Sequence, residues 1–145
     1  AGGWSSSDMR ERLRTTMAER LPAVLTGNEG IVSVRKVSQS YPPSAQTTDD
    51  KLFLLSAYEV TGTTRFNPKE TSSNSFQYQL YAKGGMGEVN AIFDKKYRDE
   101  DDVWCWFRST RTDANNGFLA IRSNGRSQVF SPATTHIGIA PCFAI

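Results

Sequence analysis

Few residue types able to do covalent or metal chemistry occur in this chain of 145 residues. The one histidine is His136, so a Ser-His-Asp triad or a histidine metal site would have to pass through it. It sits between Thr135 and Ile137 in a polar stretch, the setting of a solvated or ligand-contacting loop residue rather than a general base. The two cysteines, Cys105 and Cys142, lie in apolar runs with no adjacent base to hold a thiolate, and are expected as small buried hydrophobes or one structural bridge. Asp99, Glu100, Asp101 and Asp102 supply hard oxygen ligands without the regular spacing of a calcium loop, and read as a solvated acidic loop. Lys83 followed by Gly84, Gly85, Met86 and Gly87 lacks the Gly-Lys-Ser/Thr of a phosphate cradle and reads as a turn. No catalytic residue, metal site or cofactor is expected.

What remains is the chemistry of recognition. Arg111, Asp113, Asn115 and Asn116 crowd residues 110–116, Thr134, Thr135 and His136 crowd residues 131–136, and Arg126 adjoins Asn124-Gly125. Arginine offers forked donors to acidic groups, and the amides and hydroxyls make hydrogen bonds that tolerate varied partners. The net charge is +2, but residues 37–102 carry −3 and residues 103–145 carry +3. This positive third is far too weakly charged to track a phosphate backbone, so nucleic acid is not an expected partner.

These side chains need a frame. Hydrophobic residues make up 38% of the chain, with three Trp, five Tyr and eight Phe, and a chain near this length buries about 70% of its extended surface on folding. No apolar run approaches the length of a membrane span, so no membrane insertion is expected. Ser5 to Asp8 with Glu11 reads as a helix start, and Met9, Leu13, Met17 and Leu21 recur every fourth residue up to Pro22 as one apolar face. A strand is predicted over 31–37, an exposed loop over 39–50, a buried strand over 51–55 and a turn over 56–60. A short helical piece is predicted over 76–82 and a charged loop over 94–102. From Val103 onward strands take over. Trp104, Trp106 and Arg108 alternate with Cys105, Phe107 and Ser109. Residues 118–122 and 126–130 flank Asn124-Gly125, the signature of a type I′ hairpin. Residues 138–145, apolar on both faces, read as a central strand. Trp104 and Trp106 can stack on sugar rings, but as large apolar bodies they are expected in the core with Phe107, Phe143 and Ile145.

Several of these stretches occur together in a recognisable order. Gly3-Trp4-Ser5-Ser6-Ser7-Asp8-Met9-Arg10, Leu21-Pro22, Thr48-Asp49-Asp50-Lys51-Leu52-Phe53-Leu54-Leu55-Ser56, Trp104-Cys105-Trp106-Phe107-Arg108-Ser109 and Gly138 to Ile145 resemble, in that order, an uncharacterised domain family of phage and gut-bacterial surface proteins. Its members read G-W-x-x-S-D-(M/L)-R, D-K-(V/L)-F-L-L-S, W-W-L-R-S and a terminal G-V-x-P-x-F-x-I. Here Cys105 separates the indoles, and the first strand usual upstream of Gly2 is missing, which suggests truncation or completion by a neighbouring chain. The resemblance implies an α+β, C-type-lectin-like fold, shared with retroelement-diversified phage tropism determinants and with formylglycine-generating enzymes. The expected protein is a non-enzymatic recognition domain at the surface of a phage particle or in the extracellular space. Its expected partners are a host-cell receptor, glycan or protein, and other virion subunits, including copies of itself. A structural capsid or tail decoration domain is the alternative, ahead of an enzyme of the formylglycine-generating type.

Overall fold

The computed structural model describes residues 3–26, 30–62, 68–70, 76–79, 104–110, 117–122, 127–130 and 138–145. The amino-terminal helix starts at Ser7, whose hydroxyl accepts the Arg10 amide at 3.2 Å and satisfies one orphan donor of the first turn. Helix α1 (Asp8–Arg12) runs on through a π turn (Leu13–Met17) and a 3₁₀ turn (Ala18–Arg20), and the chain becomes extended at Leu21. Leu13 is fully buried, and Met9, Met17 and Leu21 pack on the same cluster. The four-residue repeat is thus the face laid on the core. A short helix α2 (Ala23–Thr26) follows. No helix among the described residues is long and apolar enough to cross a membrane.

Residues 39–50, expected as an exposed loop, instead complete a hairpin. Strand β1 (Val34–Ser40) pairs antiparallel with β2 (Ser44–Asp50), from Val34↔Asp50 to Ser40↔Ser44, around a turn at 41–43 that contains a cis Tyr41-Pro42 peptide. The polarity of β2 belongs to a half-exposed strand: Ala45, Thr47 and Asp49 face water while Thr48 and Asp50 turn inward. The strand predicted over 31–37 therefore starts later and runs further. Leu52, Phe53 and Leu54 are buried as expected, but only Phe53 makes a strand-type bridge, to Cys142. The turn predicted at 56–60 is helix α3 (Ala57–Thr61). Ser56 and Glu59 form a reciprocal capping box at its start, and Gly62 ends it at φ 67°, a left-handed conformation that suits glycine. A 3₁₀ turn (Pro68–Glu70) and residues 76–79 lie between α3 and the second sheet in sequence. The rest of the helical piece predicted over 76–82, the glycine turn and the charged loop at 94–102 fall outside the described residues.

The second sheet forms as expected, with β3 (Trp104–Thr110), β4 (Phe118–Arg122) and β5 (Ser127–Phe130) antiparallel in sequence order. The described register ends at Ile121↔Ser127, and the type I′ turn expected at Asn124-Gly125 falls on residues 123–126, outside the described residues. The carboxy-terminal segment departs from expectation more sharply. Residues 138–145 are not a central strand: they make isolated bridges to three elements, Cys105↔Gly138, Phe53↔Cys142 and Val32↔Ala144. Pro141 donates no backbone hydrogen bond and interrupts any continuous ladder. Phe143 and Ile145, expected in the core, are accordingly 41% and 84% exposed.

Among the described residues the core has two parts. Trp4, Leu13, Ile31, Leu52, Phe53 and Leu54 form one, onto which Trp106 packs half-buried. Ala57, Val60, Cys105, Phe107, Leu119 and Ile121 form the other. Strand β3 therefore contributes to both from its alternating faces, and the side chain of Trp104 lies outside the described set. Cys105 and Cys142 are thiols, not the halves of a bridge. The described residues form a small α+β structure with two antiparallel sheets.

Candidate functional site

The most chemically loaded place in the described structure is the junction between the two sheets. The pairing of β1 with β2 uses one edge of β1. The other edge meets β3 through side chains rather than through a ladder. Arg108 sends Nε and Nη2 to the Val37 carbonyl at 3.1 and 3.0 Å, and the Thr110 hydroxyl donates to the Gln39 carbonyl at 2.6 Å. The remaining Arg108 nitrogen, Nη1, donates to the Leu54 carbonyl at 2.7 Å and to Glu59 Oε2 at 2.6 Å. Glu59 Oε2 also takes the Ser56 amide, and its Oε1 takes Lys36 Nζ at 3.1 Å. Lys36 Nζ in turn donates to the Tyr78 hydroxyl and lies 4.0 Å from the centre of the Phe53 ring. One carboxylate thus serves two buried cations.

Burial by itself pushes the Glu59 carboxyl up, but Arg108 first and Lys36 after it outweigh that cost, so it is held below its ordinary value and stays ionised. Glu70 has the opposite balance. Its carboxylate accepts the Ser109 hydroxyl at 2.7 Å and the Gln39 backbone amide, yet burial dominates and pushes it up to about 7. Ser109 meanwhile accepts the Ala57 amide at 2.8 Å. The Gln39 side chain accepts from the Lys69 amide, and its Nε2 has no hydrogen-bond partner among the described residues. Burial also raises the Cys142 thiol, which keeps it protonated and weakly nucleophilic at neutral pH.

A second polar knot ties the amino terminus to the hairpin. The fully buried Asp50 carboxylate accepts Trp4 Nε1 at 3.1 Å, Arg10 Nε at 2.8 Å and the Thr48 hydroxyl at 2.7 Å. Arg10 also donates to the Ser5 carbonyl. Gly3 permits the approach: its φ is +70°, and a Cβ there would come within 2.9 Å of the Gln39 carbonyl oxygen.

The residues expected to form a recognition surface, Arg111, Asp113, Asn115, Asn116, Arg126, Thr134, Thr135 and His136, all lie outside the described residues. Their attachment points are described. Thr110 pairs with Phe118, and Phe118 with Phe130, so residues 111–116 and 131–137 leave the sheet from adjacent positions at one end. Arg126 precedes Ser127, which pairs with Ile121 at the other end of β4. Thr110, counted with the loop in the sequence reading, is a buried strand residue.

Residues 2–145 match a family described as a domain of unknown function, DUF6273. The chain belongs to the DUF6273 family. No curated protein and no solved structure matches it. In this DUF6273 chain the stretches singled out by sequence prove to be framework. Gly3, Trp4, Ser7 and Arg10 build the start of the helix around Asp50, while Ser56, Arg108 and Ser109 build the sheet junction. The junction was not foreseen from sequence, although two signals for it were present. Ser56 and Glu59 have capping-box spacing, and Arg108 follows Trp104 and Trp106 at alternate positions of an apolar run in the sequence, where an arginine that is buried needs partners.

Proposed function

We propose that this chain is a non-enzymatic recognition domain of C-type-lectin-like architecture. In this reading it is carried on a phage virion and uses residues 111–116 and 131–136 to bind a host-cell surface receptor, with copies of itself or other virion subunits as neighbours. The carrying observation is the shared root of those two segments at Thr110, Phe118 and Phe130. At that root Thr110 and Ser109 are hydrogen-bonded into β1, α3 and Glu70, and rigid scaffolds carrying variable connections are where recognition concentrates. The lectin-like architecture rests on the resemblance in sequence, and the helices, hairpin and three-stranded antiparallel sheet of the described residues supply the α+β class it requires. Arg126, beside Asn124-Gly125 in sequence, supplies a further forked donor to the target in this reading.

The test is a variant with Arg111, Asn115, Asn116 and Thr134 all changed to Ala. It should melt at the unchanged temperature and lose adsorption of the domain, or of the particle bearing it, to host cells. Full adsorption by the folded variant removes the binding site from these segments. A second reading, a structural decoration domain, is favoured by the exposed apolar side chains Val32, Phe143 and Ile145 near the chain end. It predicts loss of particle incorporation when those residues are made polar.

A further inference from the structure

We propose that residues 141–145 form a self-association edge, which pairs antiparallel with the same edge of a second copy of this chain about a two-fold axis. The backbone carries the proposal. Cys142 exchanges both of its main-chain hydrogen bonds with Phe53, at 2.8 and 3.1 Å, and the Ala144 carbonyl accepts the Val32 amide at 2.9 Å. Main-chain groups of successive strand residues point to opposite edges, so these bonds occupy one edge of the segment. The other edge belongs to Pro141, Phe143 and Ile145, whose main-chain groups form no hydrogen bond among the described residues. The side chains of Phe143 and Ile145 are exposed, as is Val32 across the bridge from Ala144. An open apolar edge is a template for another strand, and residues 138–145 carry no lysine or other charged side chain to guard it.

The occupant this edge fits is its own copy. With the two-fold axis at Phe143, each Phe143 amide meets the Phe143 carbonyl of the other copy, and each Ile145 amide meets the other copy's Pro141 carbonyl. The edge is thus complementary to itself: Pro141, which has no amide hydrogen, serves only as an acceptor, and two edges without charged side chains approach without repulsion. The two phenyl rings become a cross-strand pair. Because each copy spends the same edge, the contact is isologous and closes at two. A standard interface takes about 800 Å² from each partner, far more than these few residues offer, so the pairing is weak. It fills at high concentration or where an assembly already gathers copies, and the dilute chain is monomeric. It names a contact for the neighbouring copies of the reading above and rests on that reading only for its setting in a virion.

The experiment is NMR of the isotopically labelled full chain on dilution from millimolar concentration, with sedimentation over the same range. The Phe143 and Ile145 amide signals should move furthest with concentration, and the sedimenting mass should rise from monomer toward dimer. Phe143→Lys and Phe143→Glu should each stay monomeric throughout, since the two-fold register sets like charge against like, whereas an equimolar mixture of the two should dimerise. A wild type that stays monomeric at millimolar concentration overturns the proposal. So do association that leaves the Phe143 and Ile145 amides unmoved, association undiminished in Phe143→Lys, and a mixture that stays monomeric. The wild-type dilution decides even if a variant does not fold. None of the residues changed in the receptor test lies in this edge, so the two readings fail separately.

Discussion

Arg108 Nη1 lies 2.6 Å from Glu59 Oε2, with the two side chains 2% and 9% exposed. The same guanidinium spans from β3 to carbonyls at Val37 and Leu54, so the ion pair is part of a four-bond clamp rather than an isolated attraction. Lysine cannot reproduce a planar fork with donors in three directions. Arg108→Lys should therefore destabilise the fold by about 3 kcal/mol, the range for breaking a buried, hydrogen-bonded pair. An unchanged denaturation midpoint would show that the clamp contributes nothing.

Glu59 sets the acid limit of stability. Its folded value lies below the unfolded one of 4.5, so its contribution is present above that value and is lost as pH falls beneath it. The free energy of unfolding of the wild type should fall steadily below about pH 4.5. Glu59→Gln should be less stable at neutral pH and show a shallower acid slope. Equal slopes in the two proteins would sink this assignment.

Asp50 should matter more to the amino terminus than to the second sheet. Asparagine in its place presents an amide donor toward Trp4, Arg10 and Thr48, all of which donate to the carboxylate. Asp50→Asn should cost about 3 kcal/mol and raise protease sensitivity within residues 3–20. Cleavage there at the wild-type rate would contradict the contact set.

The two ends of the aromatic inventory should behave differently. Phe107 is 3% exposed, and Phe107→Ala should cost about 3 to 5 kcal/mol. Phe143→Ala together with Ile145→Ala should cost well under that, because both side chains already meet water. Comparable losses of melting temperature would mean that the chain end is covered in solution.

Periodicity made the amino-terminal helix and the sheet of β3, β4 and β5 legible in the sequence, since one buried face imposes spacings of about four and two residues. Strand β2 was not legible: Ser44 to Asp50 is polar, and only its pairing with β1 makes it a strand. Helix α3 was hidden by its five residues, too short for a period, although its cap was written at Ser56 and Glu59. Residues 138–145 misled because apolar composition reads as burial, whereas three separate bridges leave alternate side chains outside. Lys36, Glu59, Glu70 and Arg108 were missed for the converse reason. Charged residues are assigned to the surface by default, and only tertiary partners make their burial tolerable.

The clamp on β1 also bears on how this chain tolerates mutation. At Val37 Arg108 reads a carbonyl oxygen, and at Gln39 Thr110 reads another, atoms that every amino acid supplies. The sequence of β1 at Val37 can therefore drift without breaking the join, whereas Arg108 has no substitute with the same reach. At Gln39 the amide held by Glu70 adds one prohibition, proline, which has no hydrogen to give. Substitutional freedom is thus distributed unequally across a single contact, wide on the strand that is grasped and narrow on the strand that grasps.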